Sequence, residues 1–494
     1  MAFLPELILS GGALALFALT LGNERGQQAR QLAIVTALAM IVSCVFTLGQ
    51  QAVLFDGAYR VDAFSQWLKL VFGVGYLLIV LLSGDLPDIR ADVKAEYFLF
   101  LTLSVIGLTT LVSSIDLITL VVALELSSFP LYILVAMRRE REGQRVQMES
   151  AIKYIVFGIT ATGVMLFGMS YLFGLTSTTS LPTMMTKLQP VIHTPLAIVG
   201  LALMFAGLLY KLAIFPFHFW TPDVYQGASN ETTSLVASLP KIGAVAVLVR
   251  FVSLATDEHR PIALLLTCLA VASMFYGNLL ALMQKDLKRL LGFSGIAHAG
   301  YALIGFVTLD QAGYTAALFY IVSYLFMVLA CFIVVCKVSP DGTNVALEDL
   351  AGLHRRSPLL AVTLLVGVFA LAGVPPFAGF IGKFSLLKAA LAKGHLALVI
   401  LAVINSAIAV YYYLVIVREA CFRDPVKAEA IPVTLTTRLV CTLLIAGVLA
   451  LGLVPSRFLY RISDSIAGMS TPLAHPIAAV TIEGPAATSH SSAK

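Results

Sequence analysis

The chain is poor in charge: only 12% of its residues are Asp, Glu, Lys or Arg, against about 25% in an average soluble domain. That deficit excludes a water-bathed surface over most of the length. A cysteine framework is missing too. Cys44, Cys268, Cys331, Cys336, Cys421 and Cys441 are scattered and form no C-x-x-C pair. Neither an iron–sulfur cluster nor a disulfide frame is indicated, and the six read as small buried hydrophobes. The opening run MAFLPELILSGGALALFALTLG carries no basic segment ahead of it and shows no cleavage site, so it reads as a retained first helix. No organellar transit peptide is visible, and a bacterial inner membrane is the expected location. No stretch remains for a soluble, pocket-building domain.

What is there is apolar. Hydrophobic residues make up 59% of the 494, and the mean hydropathy is +0.93. Runs of 18 or more such residues define a polytopic, all-α integral membrane protein. Apolar windows between charged or Pro/Gly-rich breaks give about fourteen transmembrane helices. Their expected cores are 4–22, 32–54, 62–83, 95–114, 116–137, 151–174, 195–219, 232–254, 261–283, 288–308, 312–337, 358–390, 395–418 and 434–455. The segment 358–390 is too long, and too broken at Val374–Gly379, for one straight span, so it reads as discontinuous. From about Ser470 the tail is small, polar and Pro-containing, without helical periodicity.

Basic residues then give the sidedness. Loops after odd-numbered spans carry about nineteen, among them Arg25, Arg90, Arg138, Lys285, Arg289, Arg355 and Arg418. Loops after even-numbered spans (Arg60, Lys187, Arg260, Lys393) together with the tail carry eight or fewer. The positive-inside rule sends the odd loops to the cytoplasm and both termini to the periplasmic side, as an even span count requires.

Four ionisable side chains lie inside apolar spans: Glu125, Lys211, Lys241 and Lys383. Each is within eight residues of a proline: Pro130, Pro216, Pro240 and the pair Pro375–Pro376. A lysine at the centre of a membrane helix costs about 2.5–3.5 kcal/mol even on lenient scales. A chain that repeats this expense moves something charged, and the proton is the leading candidate. Lys211, in span seven, and Lys383, in span twelve, lie five spans apart. They therefore cross the membrane in opposite directions, the arithmetic of an inverted-topology repeat on broken helices. The resulting division is an N-terminal three-helix segment (1–94), a first five-helix repeat (95–254), a second, inverted one (261–418), a fourteenth helix (419–469) and a polar tail (470–494).

Burial makes the neutral form of a lysine competitive, and a nearby carboxylate restores the charged form. At 4 Å and an effective dielectric near 20, one such contact is worth about 4 kcal/mol. Glu125, in VVALELSSFPLYILVA, is the natural partner for Lys211. If their separation changes, the pair switches between an ion pair and a lysine that has released its proton. Lys241, in SLPKIGAVAVLVRF, reads as a central station and Lys383 as the station of the other half. His298, in LLGFSGIAHAGYALIGF, is either a bridge between Lys241 and Lys383, since imidazole titrates near neutrality, or a neutral ring donating to a backbone carbonyl. His218 and Asp223, in FPFHFWTPDVYQGA, form an intake mouth or merely cap a helix. Lys388, nearer a helix end, snorkels, and Asp116 and Lys153 at span ends are read as solvated.

The strings ELSSFPLYIL, YKLAIFPFHFWTPDVYQGA, QKDLKRLLGFSGIAHAGYALIGF and GVPPFAGFIGKFSLL resemble the antiporter-like membrane subunits of respiratory complex I, NADH:quinone oxidoreductase, and most closely the subunit N type. The resemblance covers nearly the whole chain. K-L-x-x-x-P-F-H-x-W-T-P-D-V-Y-Q-G-A separates this type from its sister subunits and from cation/proton antiporters, which carry variants such as W-L-P-D. The resemblance implies fourteen helices, an inverted pair of five-helix bundles, and no redox cofactor in this chain. NADH, FMN, iron–sulfur clusters and quinone would belong to partner subunits, the other members of a membrane arm. It also implies that Glu125 and Lys211 are the coupling pair, Lys241 the central lysine, Lys383 the second-half lysine and His298 the histidine of span ten. One departure is visible: a Pro-rich A-P-x-P-V stretch usually follows Y-Q-G-A, and here the chain reads ASNETTSLVASLPK. Three functions fit these features: a proton-pumping subunit, which the strings favour, a subunit of a cation/proton antiporter or membrane-bound hydrogenase, and a passive scaffold. No nucleic-acid partner is expected.

Overall fold

A computed structural model describes residues 1–22, 24–140, 146–252, 260–425 and 429–470; residues 471–494 of the expected tail lie outside the described part. Three helices open the chain: α1 (Leu4–Thr20), α2 (Gly26–Thr47) and α3 (Ala63–Ser83). Between α2 and α3 a small hairpin replaces the end of the helix expected to run to residue 54: β1 (Ala52–Leu54) pairs antiparallel with β2 (Tyr59–Val61). The reason is local. Asp56 and Gly57 both take positive φ, at 52° and 91°, the geometry an Asp-Gly hairpin turn requires.

The next helices are α4 (Lys94–Ser113), α5 (Leu117–Ala136), α6 (Val146–Thr176), the short α7 (Leu181–Leu188), α8 (Pro195–Leu212), α9 (Trp220–Gly227) and α10 (Asn230–Val252). Then come α11 (Arg260–Ala281), α12 (Leu287–Val307), α13 (Gln311–Val338), the single turn α14 (Leu353–Arg356), α15 (Pro358–Ala372), α16 (Ala378–Ala392), α17 (Leu396–Phe422), α18 (Leu435–Leu453) and α19 (Pro455–Ala467). Among the described residues, twelve helices are long and apolar enough to cross a membrane, and Leu4–Thr20 and Pro358–Ala372 are shorter apolar helices.

Carboxylate caps start several of these helices where the sequence turns from polar to apolar. Asp62 caps α3 in a reciprocal box with Ser65, and Asp116, Asp286 and Asp310 cap α5, α12 and α13. Each accepts a bond from an N–H that the first helical turn leaves without a partner.

Both expected breaks are present. The first separates α8 from α9, after Ala213 in the left-handed region (φ 62°). The second separates α15 from α16, after Gly373 at φ 87°. Each break contains a cis prolyl bond, Phe215–Pro216 and Pro375–Pro376.

Helices α10, α12 and α13 are buried along almost their whole length. The outer helices α6, α11 and α17 instead leave apolar side chains such as Ile152, Leu264 and Val403 exposed. An outer surface of this kind suits hydrocarbon, not water. Close helix contact is built in at α4 and α5, where a Cβ on Gly107 would lie 2.6 Å from Ser127 Cα; only glycine permits that approach. Neither α7 nor the amphipathic α19 was expected from hydropathy, because each is too short or too polar to stand out in a long apolar window.

Candidate functional site

The first station forms where α5 faces the end of α8. Lys211 lies in the last turn of α8 and is buried. Its ammonium donates to Ser127 Oγ and Ser128 Oγ, both at 2.6 Å, and to the Leu124 carbonyl at 3.4 Å. Glu125, half-buried, takes its bond from the Thr162 hydroxyl of α6. The two expected partners are therefore parted, and they form no ion pair here. Glu125 remains near enough to act on Lys211 through space. The two serines of ELSSFP, two and three residues after the glutamate, supply the alternative hold.

Lys241, in the middle of α10, donates to the Gly295 carbonyl of α12 at 3.1 Å and stands 5.2 Å from the Tyr324 ring centroid. One turn further along α12 is His298. Its Nδ1 meets Tyr320 Oη at 2.5 Å and its Nε2 meets Tyr413 Oη at 3.0 Å, and Tyr413 in turn bonds Ser294 Oγ at 2.6 Å. The imidazole is thus held by two phenols rather than by a backbone carbonyl. Its ring lies 5.1 Å from Tyr324, which borders Lys241, and 6.4 Å from Tyr301, which borders Lys383. Lys383 stands 4.8 Å from the Tyr301 ring centroid. The structure thus brings Lys241, His298 and Lys383 around one aromatic cluster. No hydrogen bond links Lys211 with Lys241 among the described residues.

Lys383 sits on α16 but is held by α15. Its ammonium donates to the carbonyls of Leu371 and Ala372, each at 3.1 Å. These are the last residues of α15, whose carbonyls have no partner within the helix. A cation at that end also meets the negative pole of the helix dipole. The break leaves those two carbonyls open to the lysine of the next helix.

His218 lies between α8 and α9, buried against Phe215, Phe219 and Tyr276, the last with ring centroids 4.1 Å apart. Neither ring nitrogen has a hydrogen-bond partner. Asp223 does not join it. That carboxylate pairs with Lys153 at 2.7 Å and with Arg289 at 2.6 Å, tying α9 to α6 and α12. Lys153, read as solvated, is therefore part of an ion-pair group that also includes Glu149. Among the described residues no three His, Cys, Asp or Glu side chains come together in a way that could hold a metal ion.

Several charged groups went unnoticed in the sequence. Lys69, fully buried in α3, pairs with Glu6 of α1 at 2.8 Å, and Tyr59 donates to the same carboxylate oxygen at 2.7 Å. The signal for Lys69 was the one used for the others, a lysine inside an apolar run, but without a nearby proline. Arg250 reaches Asp62 through two N–H groups at 3.0 and 3.1 Å and the Val112 carbonyl at 2.7 Å. Burial alone would raise the Asp62 carboxyl. The charge and bonds of Arg250, the Ser65 N–H and the charge of Arg60 outweigh it and hold the group below its ordinary range. Lys288 was counted among loop residues, yet it is fully buried and donates to the Ala228 carbonyl at 2.7 Å. Tyr301 falls in the same string as His298, whereas Tyr320, Tyr324 and Tyr413 carry no mark in the sequence that sets them apart from core tyrosines.

Buried lysines at two helix breaks, Lys211 and Lys383, and a third, Lys241, that shares an aromatic cluster with Lys383, in a predominantly helical membrane fold, define a protein of the antiporter-like class. The family model described as NADH:quinone oxidoreductase/Mrp antiporter, TM, matches residues 114–409. NADH-quinone oxidoreductase subunit N 2 of Opitutus terrae is 64% identical over 472 residues, covering 95% of this chain and 98% of that protein. A chain of respiratory complex I from Thermus thermophilus superposes with a TM-score of 0.80 at 32% identity, covering 92% of this chain and 98% of that one. A chain of an archaeal membrane-bound sulfane sulfur reductase shares the fold, with a TM-score of 0.84 at 23% identity over 95% and 97% of the two chains. The chain belongs to the NADH:quinone oxidoreductase/Mrp antiporter family, within its subunit N group.

Proposed function

We propose that this chain is a proton-translocating membrane-arm subunit of an NADH:quinone oxidoreductase. It would work beside other membrane-arm subunits, with NADH, FMN, iron–sulfur clusters and quinone handled by its partners. It would lie in a bacterial inner membrane with fourteen spans, both termini periplasmic and the basic loops cytoplasmic. Spans four to eight and nine to thirteen would form the inverted repeats.

The observation that carries this reading is the seating of three buried lysines, each on uncharged acceptors. Lys211 rests on two serines and a carbonyl, Lys241 on one carbonyl and Lys383 on two. A lysine whose acceptors are uncharged can give up its proton without leaving a bare carboxylate behind. Glu125, parted from Lys211 and bonded to Thr162, supplies the switch. Drawn together, the two favour the ammonium; parted, they favour release. Proton movement into the other half would run from Lys241 to His298 to Lys383, with the Tyr320 and Tyr413 hydroxyls fixing the imidazole. Each transfer moves one proton from an ammonium or imidazolium to a neutral amine or imidazole, so charge is conserved at every step.

Replacing Lys211 or Glu125 by alanine separates this reading from a passive scaffold. The variants are expected to assemble and to oxidise NADH with weakened proton translocation. An assembled Lys211→Ala complex that pumps with an unchanged proton-to-electron ratio would overturn the relay.

A further inference from the structure

A proton has to reach Lys241, the most deeply enclosed of the three lysines. At the end of the molecule that carries the basic loops lies a cavity of 640 Å³. It is bordered by Ser83, Asp85, Lys337, Glu348, Arg356 and, at its inner wall, Glu231. Glu231 occupies the first turn of α10 and is 2% exposed. Its Oε2 is buried with no hydrogen-bond partner. A buried carboxylate oxygen left bare is costly, and such groups in native proteins call for a functional explanation.

The same helix leads inward. Glu231, Ser234, Ser238 and Lys241 are spaced three, four and three residues apart, the period that puts side chains on one face of a helix. They span about 15 Å of helix axis at 1.5 Å per residue. Both serines are fully buried. Ser234 donates to the Glu231 carbonyl at 2.7 Å and Ser238 to the Ser234 carbonyl at 2.6 Å. Each hydroxyl oxygen keeps lone pairs that can accept, and each hydroxyl can rotate to donate onward.

We propose that Glu231 is a proton-loading carboxylate that draws protons from this cavity and feeds Lys241 along the serine face of α10. The inference rests on the relay reading above. A hydronium ion in the cavity gives its proton to the Glu231 carboxylate, forming the neutral acid and water. The acid then passes a proton through the two hydroxyls and any water between them to the neutral amine of Lys241. The carboxylate is regenerated and an ammonium is formed. The charged and titratable groups acting on Glu231 come from several elements: Asp88 from the loop before α4, Tyr97 from α4, Lys288 from α12, and Cys336 of α13. Lys337 of α13, Asp85, Glu348, Asp349, Arg356 and Glu429 border the same cavity. Of the groups acting on Glu231, Lys288, fully buried on α12, is the one whose charge opposes the burial that works against a carboxylate here.

The test is NADH-driven proton translocation by the whole complex in inside-out membrane vesicles across the neutral pH range. Glu231→Gln is expected to lower protons moved per electron to about half or less, as loss of a proton-transfer group slows the step it serves. The deficit should grow with rising pH, and Glu231→Asp should restore pumping. An assembled Glu231→Gln complex that pumps like its parent at every pH overturns the proposal. So does a deficit independent of pH that Glu231→Asp fails to relieve, because that marks a structural role. Should Glu231→Gln not assemble, Ser238→Ala decides: slower pumping supports the route and unchanged pumping overturns it. Lys241→Ala serves as the control. Normal pumping by that variant sinks the relay itself, whereas its failure beside normal Glu231→Gln and Ser238→Ala pumping sinks only the loading route.

Discussion

At the residue scale, the molecule treats its buried charges in two ways. Lys211, Lys241 and Lys383 sit on neutral oxygens, whereas Lys69 sits on a carboxylate, Glu6, from which it has no reason to part. The first kind suits a lysine that changes state and the second a fixed brace between α1 and α3. Removing one partner of a buried pair costs about 3–5 kcal/mol, while replacing both by apolar residues is often neutral. Lys69→Met alone is therefore expected to lower the stability or yield of the assembled subunit by that order, and Glu6→Leu with Lys69→Met to recover most of it. Thermal unfolding in detergent would check both. The relay candidates were legible in the sequence because hydrophobic runs make a charge conspicuous. What they touch was not. Tyr413 lies more than a hundred residues from His298 along the chain, and Ser127 and Ser128, two and three residues after Glu125, look like ordinary small residues until Lys211 is seated on them.

At the element scale, the two breaks do the positioning. Each ends a helix in a left-handed residue, Ala213 in one half and Gly373 in the other. That conformation costs an L residue roughly 1–2 kcal/mol. Gly373→Ala is expected to incur that cost, and its Cβ would also fall 3.1 Å from Lys383 Cδ, displacing the lysine from the end of α15. Ala213→Gly, in contrast, should be tolerated. Comparing yield and NADH-driven pumping of the two variants checks the asymmetry. The breaks were readable because proline and glycine punctuate apolar runs. The hairpin of β1 and β2 was not, although its Asp-Gly signal was present, because the apolar residues around it extend the preceding helix in a hydropathy window. The short α9 lies between the expected spans 195–219 and 232–254, because WTPDVYQG is too short and too polar to stand out in such a window.

At the scale of the whole molecule, the order and approximate extents of the long helices were legible because hydrocarbon accepts few solutions. The ties between distant segments were not. Asp62, before α3, clasps Arg250 at the end of α10, and nothing in either stretch of sequence announces the other. Because this clasp holds the Asp62 carboxyl below its ordinary range, its stabilising effect is complete at neutral pH. The effect is lost as pH falls below the usual aspartate value of about 3.9 and through the lower folded one. Asp62→Asn is therefore expected to lower stability at neutral pH and to narrow the gap from the parent protein under strong acid. Denaturation curves of the purified subunit across that range would show it.

The seating of Lys383 has a mechanical consequence. Its ammonium is the fastener between α15 and α16, gripping the two carbonyls left over at the severed end. Charge-assisted bonds of this sort are roughly twice as strong as neutral ones, so loss of the Lys383 proton in the proposed relay would slacken the joint and its return would stiffen it. The rigidity of the discontinuous rod would thereby register whether the site is occupied, and a chemical event a few ångströms across would become a change in the pliancy of two helices.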